Sequence, residues 1–233
     1  MSDLVFDLSK KLEFQLEKND VSRNISLRVG FALDASSSME QDYASGRMTR
    51  LNERILPVAL RFDDNRSLEV CAFSKVAYAL PDMTAENYQT YIADHIMRDF
   101  YRLSGATYFA PALAYFIHEW GKKTSIMSAV RRFFTPLART EPSEDPGYII
   151  LQTDGCNFDN DETIALIQSL KENNIFVTFI TTGPEANRQR TEYYAQCSTN
   201  VATLHIEELS SVSDDCLYAS LVSPKLVTWL HSL

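Results

Sequence analysis

The stretch Ile25-Ser26-Leu27-Arg28-Val29-Gly30-Phe31-Ala32-Leu33-Asp34-Ala35-Ser36-Ser37-Ser38-Met39 decides the fold. It alternates at first, turns continuously apolar before Asp34, and then breaks into small hydroxyl residues. That is the pattern of a strand running from a half-exposed end into the middle of a sheet, with a polar turn at its exit. Three later runs repeat the pattern. Tyr148–Gln152 exits at Thr153-Asp154-Gly155, Ile175–Thr182 exits at Gly183-Pro184, and Val201–Ile206 is the last. Helical spacing fills the gaps between them. Arg47–Phe62 carries Met48, Leu51, Ile55, Val58, Ala59 and Phe62 on one face, Pro111 opens an apolar helix over Ala112–Trp120, and Glu162–Glu172 reads as another helix.

Strands alternating with helices of this length predict βαβ units around a mostly parallel sheet. The expected fold is therefore α/β, a doubly wound, Rossmann-like sandwich with helices on both faces. Leu68–Phe73 and Val76–Leu80, separated by Ser74-Lys75, predict a hairpin that adds one antiparallel edge strand. Asn87–Met97 and Ser125–Leu137 are expected to be helical, Glu141–Asp145 to be an exposed loop, and Asp214–Leu221 and Lys225–Leu233 to close the chain as helices. Asp7–Asn19 places Leu8, Leu12 and Leu16 on one face of an amphipathic helix. The expected organisation is thus residues 1–24 as a helix docked on one α/β domain of residues 25–233.

Composition narrows the function classes. The 233 residues are 45% hydrophobic and 23% charged, ordinary for a globular chain large enough to bury a core without staples. Lys and Arg number 22 against 31 Asp and Glu, a net charge of −9 that disfavours sequence-independent nucleic-acid binding. Cys71, Cys156, Cys197 and Cys216 form no CxxC pair and have no histidine at zinc-ligand spacing. The N-terminus lacks a secretory pattern and no apolar run is long enough to span a membrane, so a soluble, reduced, cytoplasmic protein without a membrane partner is expected.

In open α/β sheets ligands bind beyond the carboxyl ends of the strands. Asp34-Ala35-Ser36-Ser37-Ser38 and Thr153-Asp154-Gly155 fall there, and Gly105-Ala106-Thr107 precedes the Pro111 helix. Two carboxylates and three hydroxyls can converge on one edge, a donor set suited to a hard cation such as Mg²⁺. Ser36, Ser38 and Thr107 offer neutral oxygens. Asp34 and Asp154 bind the ion directly or through water and hydroxyl hydrogen bonds. A cation held largely by neutral oxygens seeks an anionic ligand from outside. The competing reading is structural, with Asp34 and Asp154 as helix caps and the serines as a turn. Asp159, Asn160 and Asp161 read as caps of the Glu162 helix, Cys156 as a small buried residue, and Tyr43, Met48 and Tyr108 as either a recognition rim or packing.

The strand ending in Asp34-x-Ser36-x-Ser38-Met39, the later Gly105-x-Thr107 and the strand ending in Thr153-Asp154-Gly155 together resemble the von Willebrand factor A (VWA) domain and its metal-ion-dependent adhesion site (MIDAS). The likeness covers roughly Ile25 to Ile206. Leu8-Ser-Lys-Lys, Leu60-Arg-Phe-Asp-Asp and Gly105-Ala-Thr-Tyr-Phe-Ala-Pro-Ala-Leu are similar to the bacterial tellurium-resistance (TerF-type) branch. Ser37 and Ala106 depart from it, standing where Gly is often found. The resemblance implies a protein-interaction module in which Asp34, Ser36, Ser38, Thr107 and Asp154 bind Mg²⁺, with Mn²⁺ or Ca²⁺ as alternatives. It implies a protein partner that supplies an Asp or Glu carboxylate, in a bacterial or phage stress-response setting. The alternative is a metal-dependent hydrolase or phosphoryl-transfer enzyme using the same pocket. No histidine stands in the three loops to act as a base, and no P-loop is present, so a non-enzyme is expected.

Overall fold

The computed structural model describes residues 2–121 and 145–233; the helix expected over Ser125–Leu137 and most of the 141–145 loop lie outside them. In chain order come α1 (Asp3–Lys18), β1 (Arg28–Asp34), α2 (Glu40–Ala44), α3 (Arg47–Phe62), β2 (Glu69–Phe73) and β3 (Ala77–Ala79). Then follow α4 (Tyr91–His95), α5 (Phe100–Leu103), α6 (Ala110–Trp120), β4 (Gly147–Thr153), α7 (Asn160–Ser169) and β5 (Ile175–Thr182). The chain ends in α8 (Arg188–Cys197), β6 (Val201–Ile206), α9 (Asp214–Leu221) and α10 (Pro224–Leu230).

Among the described residues six strands form one sheet in the order β3-β2-β1-β4-β5-β6. Every pairing is parallel except β2 with β3. From β1 the chain winds outward to β2; from β4 it winds the other way to β5 and β6. The order therefore reverses between β1 and β4, and the crevice at their carboxyl ends is where such sheets take ligands. Asp34 is the last residue of β1, and Asp154 follows the last residue of β4.

Alternation along the strands sorts the core into two layers. Val29, Phe31, Leu33, Tyr148, Ile150 and Phe176 face α1, α3, α9 and α10. Ala32, Phe73, Ile149, Leu151, Val177 and Phe179 face α6, α7 and α8. Helix α1 buries Val5, Leu8, Leu12 and Leu16 in the first layer, and Lys11 pairs with Asp214 of α9 at 2.7 Å. It starts at Asp3, earlier than its leucines indicate, because the Ser2 hydroxyl accepts the Val5 amide and caps it.

Helix α6 is fixed at its far end by a buried cluster. Trp120 Nε1 donates to both carboxylate oxygens of Glu69 at 3.1 Å, and Arg28 Nη2 meets Glu69 Oε1 at 2.7 Å. The helix expected over Asn87–Met97 is shorter: α4 covers Tyr91–His95 and a single 3₁₀ turn follows at Met97–Asp99.

Candidate metal centre

Three loops meet at the crevice. The first leaves β1, the second runs from α5 into α6, and the third leaves β4. Backbone bonds stitch them together: Ser37 N donates to Gly105 O at 3.1 Å, and Phe158 N donates to Thr107 O at 3.1 Å. Asp34 lies at the bottom, fully buried. Its Oδ1 accepts the Ser36 amide at 2.8 Å and its Oδ2 accepts the Thr153 hydroxyl at 2.7 Å. Thr153 Oγ1 in turn accepts the Gly155 amide at 3.1 Å. Ser36 and Ser38 hydroxyls are 3.1 Å apart, the first buried and the second exposed. Thr107 is buried and Asp154 half-buried. No side-chain hydrogen bond ties either of these two to the other three residues; their loops are joined through the backbone.

Burial pushes the Asp34 carboxyl up to about 7, and the negative charge of Asp154 adds to the rise against the hydrogen bonds from Ser36 and Thr153. Among the described residues no basic side chain forms an ion pair with Asp34. A buried carboxyl facing a second carboxylate, with hydroxyl oxygens at its side, fits a hard divalent cation, whose charge would offset both burial and repulsion. No three His, Cys, Asp or Glu side chains converge as a metal site among the described residues. The donor set here is instead mixed, two carboxylates and three hydroxyls, all oxygen.

The neighbouring residues resolve as follows. Of the two readings for Tyr43 and Met48, packing holds: both are buried, and the Tyr43 hydroxyl donates to the Asp34 carbonyl at 2.8 Å. Cys156 is exposed, not buried. Asp159 occupies the N-cap position of α7, as expected, but its side chain makes no bond to that helix. Its carboxylate accepts the amides of Phe109 at 3.0 Å and Ala110 at 2.7 Å, so it caps α6, the helix that Thr107 leads into. Asn157 Nδ2 supports it at 2.6 Å, and Tyr194 and Thr163 support Asn157. Asp159 therefore connects the second and third loops. Sequence spacing carries no signal for a cap about fifty residues away. The role of Thr153 stands in the Thr-Asp-Gly motif, where it completes the hold on Asp34.

The sequence profile of the vWA-TerF-like family, described as vWA found in the TerF C terminus, matches residues 26–233. The uncharacterized protein YcbR of Bacillus subtilis (strain 168) is 26% identical over 225 residues, covering 93% of this chain and 83% of YcbR. Among solved structures, manganese-loaded TRAP protein of Plasmodium vivax is similar with a TM-score of 0.56 at 16% identity, over 88% of this chain and 75% of that one. The SpRpn10 VWA domain gives 0.52 at 14% identity, over 86% and 97%. Proximal thread matrix protein 1 of the mussel byssus, with a zinc-occupied MIDAS motif, gives 0.54 at 16% identity, over 87% and 48%. This chain thus spans about half the length of the byssus protein. At these identities the structural likeness is one of fold. No helix among the described residues is long and apolar enough to cross a membrane. With the doubly wound sheet, the Asp34 crevice at its switch point and a profile match over nearly the whole chain, the protein belongs to the vWA-TerF-like family of VWA domains.

Proposed function

We propose that this chain is a Mg²⁺-dependent protein-interaction module that captures an acidic side chain of a partner protein. The observation that carries the reading is Asp34: a fully buried carboxyl at the switch point, beside Asp154, with no basic partner among the described residues. Ser36, Ser38 and Thr107 would hold the ion through hydroxyl oxygens. Asp34 orients Ser36 through its amide and holds Thr153, while Asp154 contributes the second negative charge. When bound, the ion supplies a Lewis-acidic positive charge to which an outside Asp or Glu carboxylate binds. In a chain of net charge −9 that local inversion is what lets an acidic partner approach. The zinc- and manganese-bearing neighbours support a divalent ion, and in keeping with a TerF-type family the setting we propose is bacterial or phage tellurium resistance or stress response in the cytoplasm.

Thermal unfolding tests the site. Metal at ~100-fold over its dissociation constant adds about 2.7 kcal/mol, a rise of roughly 5–10 °C for a chain of this size. Wild type is expected to rise by that amount between EDTA and millimolar Mg²⁺ or Mn²⁺, and a Ser36→Ala/Ser38→Ala variant is expected not to. No shift in wild type, together with no heat of binding by titration calorimetry, sinks the proposal. Mg²⁺-dependent turnover of a phosphate ester that is lost in Asp154→Ala transfers the same pocket to the hydrolase reading.

A further inference from the structure

The third loop holds an apolar ring out in solvent beside the candidate metal centre. Phe158 is 74% exposed, yet the residues on either side of it are buried: Asn157 at 8% and Asp159 at 5%. The Phe158 amide is itself tied to the Thr107 carbonyl. Its amide is thus held while the side chains of Asn157 and Asp159 are anchored inside on either side, and the outward ring is a consequence of that path. Tyr108, the residue after Thr107, lies against it with ring centroids 6.0 Å apart. The two rings form an aromatic platform whose two backbones meet at a candidate metal ligand.

The second loop, which carries Gly105 and Thr107, has a basic neighbour. Lys75, at the tip of the β2–β3 hairpin, is exposed and makes no ion pair among the described residues. Its side chain packs beside Gly105, where an added Cβ would lie 3.8 Å from Lys75 Cγ. From Gly105 to Tyr108 the backbone reaches at most about 10 Å, the length of some three residues of extended peptide. Lys75 beside Gly105, and Tyr108 with Phe158, thus flank Thr107 along one short loop, on a protein otherwise rich in negative charge.

We propose that the partner segment carries an aromatic or large aliphatic side chain next to its metal-seeking Asp or Glu, laid on Phe158 and Tyr108, with a second acidic residue on the other side meeting Lys75. This specificity rests on the interaction-module reading above. Charge complementarity at Lys75 and continuity with the hydroxyl cluster favour such a mixed acidic and apolar segment.

The test uses the full chain with Mn²⁺ and three terminally blocked pentapeptides: Gly-Glu-Asp-Phe-Gly, Gly-Phe-Asp-Glu-Gly and Gly-Ser-Asp-Ser-Gly. One of the first two is expected to bind on the order of tenfold or more tightly than the third. Phe158→Ala is expected to erase that gain, and Lys75→Ala to weaken the favoured peptide several-fold. Both variants should keep wild-type Mn²⁺ affinity by calorimetry, which separates lost recognition from a damaged site. Equal binding of all three peptides, or no binding below about 1 mM to protein that holds Mn²⁺, overturns the proposal and leaves the metal site standing. Failure to bind Mn²⁺ at all overturns the interaction-module reading with it. A concentration-dependent dimer in Mn²⁺ that Phe158→Ala dissolves assigns the platform to a second copy of this chain and also overturns the proposal.

Discussion

Gly155→Ala is expected to lower the melting temperature by about 6–12 °C and to abolish the response to divalent cations. Gly155 has a φ of 104°, in the region L side chains rarely adopt. Residues forced into such backbone conformations cost of order 1–3 kcal/mol. Strain is only part of the effect, because a Cβ here would stand 2.2 Å from the Asn187 carbonyl oxygen and 2.8 Å from its carbon. Those are backbone atoms in the turn before α8 and cannot swing aside as a side-chain tip does. Either that turn or the Asp154 loop must move, so about 3 kcal/mol in total is expected. Gly183→Ala isolates the clash. Its φ of 91° imposes similar strain, but its nearest neighbour is the Asn187 side-chain nitrogen at 3.0 Å. It should destabilise less and keep its metal response. Thermal melts of both variants with and without Mn²⁺ decide the point, and equal losses in the two would show that the overlap with Asn187 has no consequence.

Asp159→Ala is expected to cost about 3 kcal/mol and to weaken metal binding at least tenfold, although Asp159 is not among the candidate ligands. The substitution strips the carboxylate from two amides at the first turn of α6 and leaves Asn157 Nδ2 without its closest acceptor, all in buried surroundings. Buried donors left unmade cost about 1–3 kcal/mol each before relaxation. The loss is local in energy but not in effect, because Thr107 enters α6 through this turn and its carbonyl holds the Phe158 amide. Asp159→Asn retains one acceptor oxygen and should recover part of both stability and affinity. A variant that loses stability but binds Mn²⁺ at wild-type affinity would show that α6 does not position Thr107.

Much of this arrangement is legible in the chain, for reasons that differ by element. Strands β1, β4 and β5 are buried along nearly their whole length and read as mainly apolar runs that end in small polar residues, while the edge strand β6 is half-buried at Thr203, Leu204 and His205 and is read from its alternation. Asp34, Ser36, Ser38, Thr107 and Asp154 are legible because each stands at a strand exit or a helix entry. Four features are not. The Asn87–Met97 segment has helical spacing, but Tyr91 and Ile92 turn into the core over a short α4 and the helix does not extend. Asp159 sits where a cap of its own helix belongs, and its use by α6 depends on a contact that only the folded sheet creates. Tyr43 is as consistent with a rim as with a core until α2 is seen to bring its hydroxyl under the Asp34 carbonyl. The outward ring of Phe158 belongs to the same class, since it depends on how its neighbours are pinned.

The chain's two tryptophans fall on opposite sides of the sheet. Trp120 closes α6 against the Glu69 carboxylate, in the layer that carries the second and third loops. Trp229 lies on α10 against Phe176, ring centroids 5.5 Å apart, in the other layer. Each face therefore holds its own intrinsic fluorophore in a distinct environment. A Trp229→Phe protein reports optically on the ligand-facing layer alone, and a Trp120→Phe protein on the layer beneath. A change confined to the first emission on adding a divalent ion would be a loop adjustment transmitted down one helix; a change in both would mean that the sheet itself transmits the event.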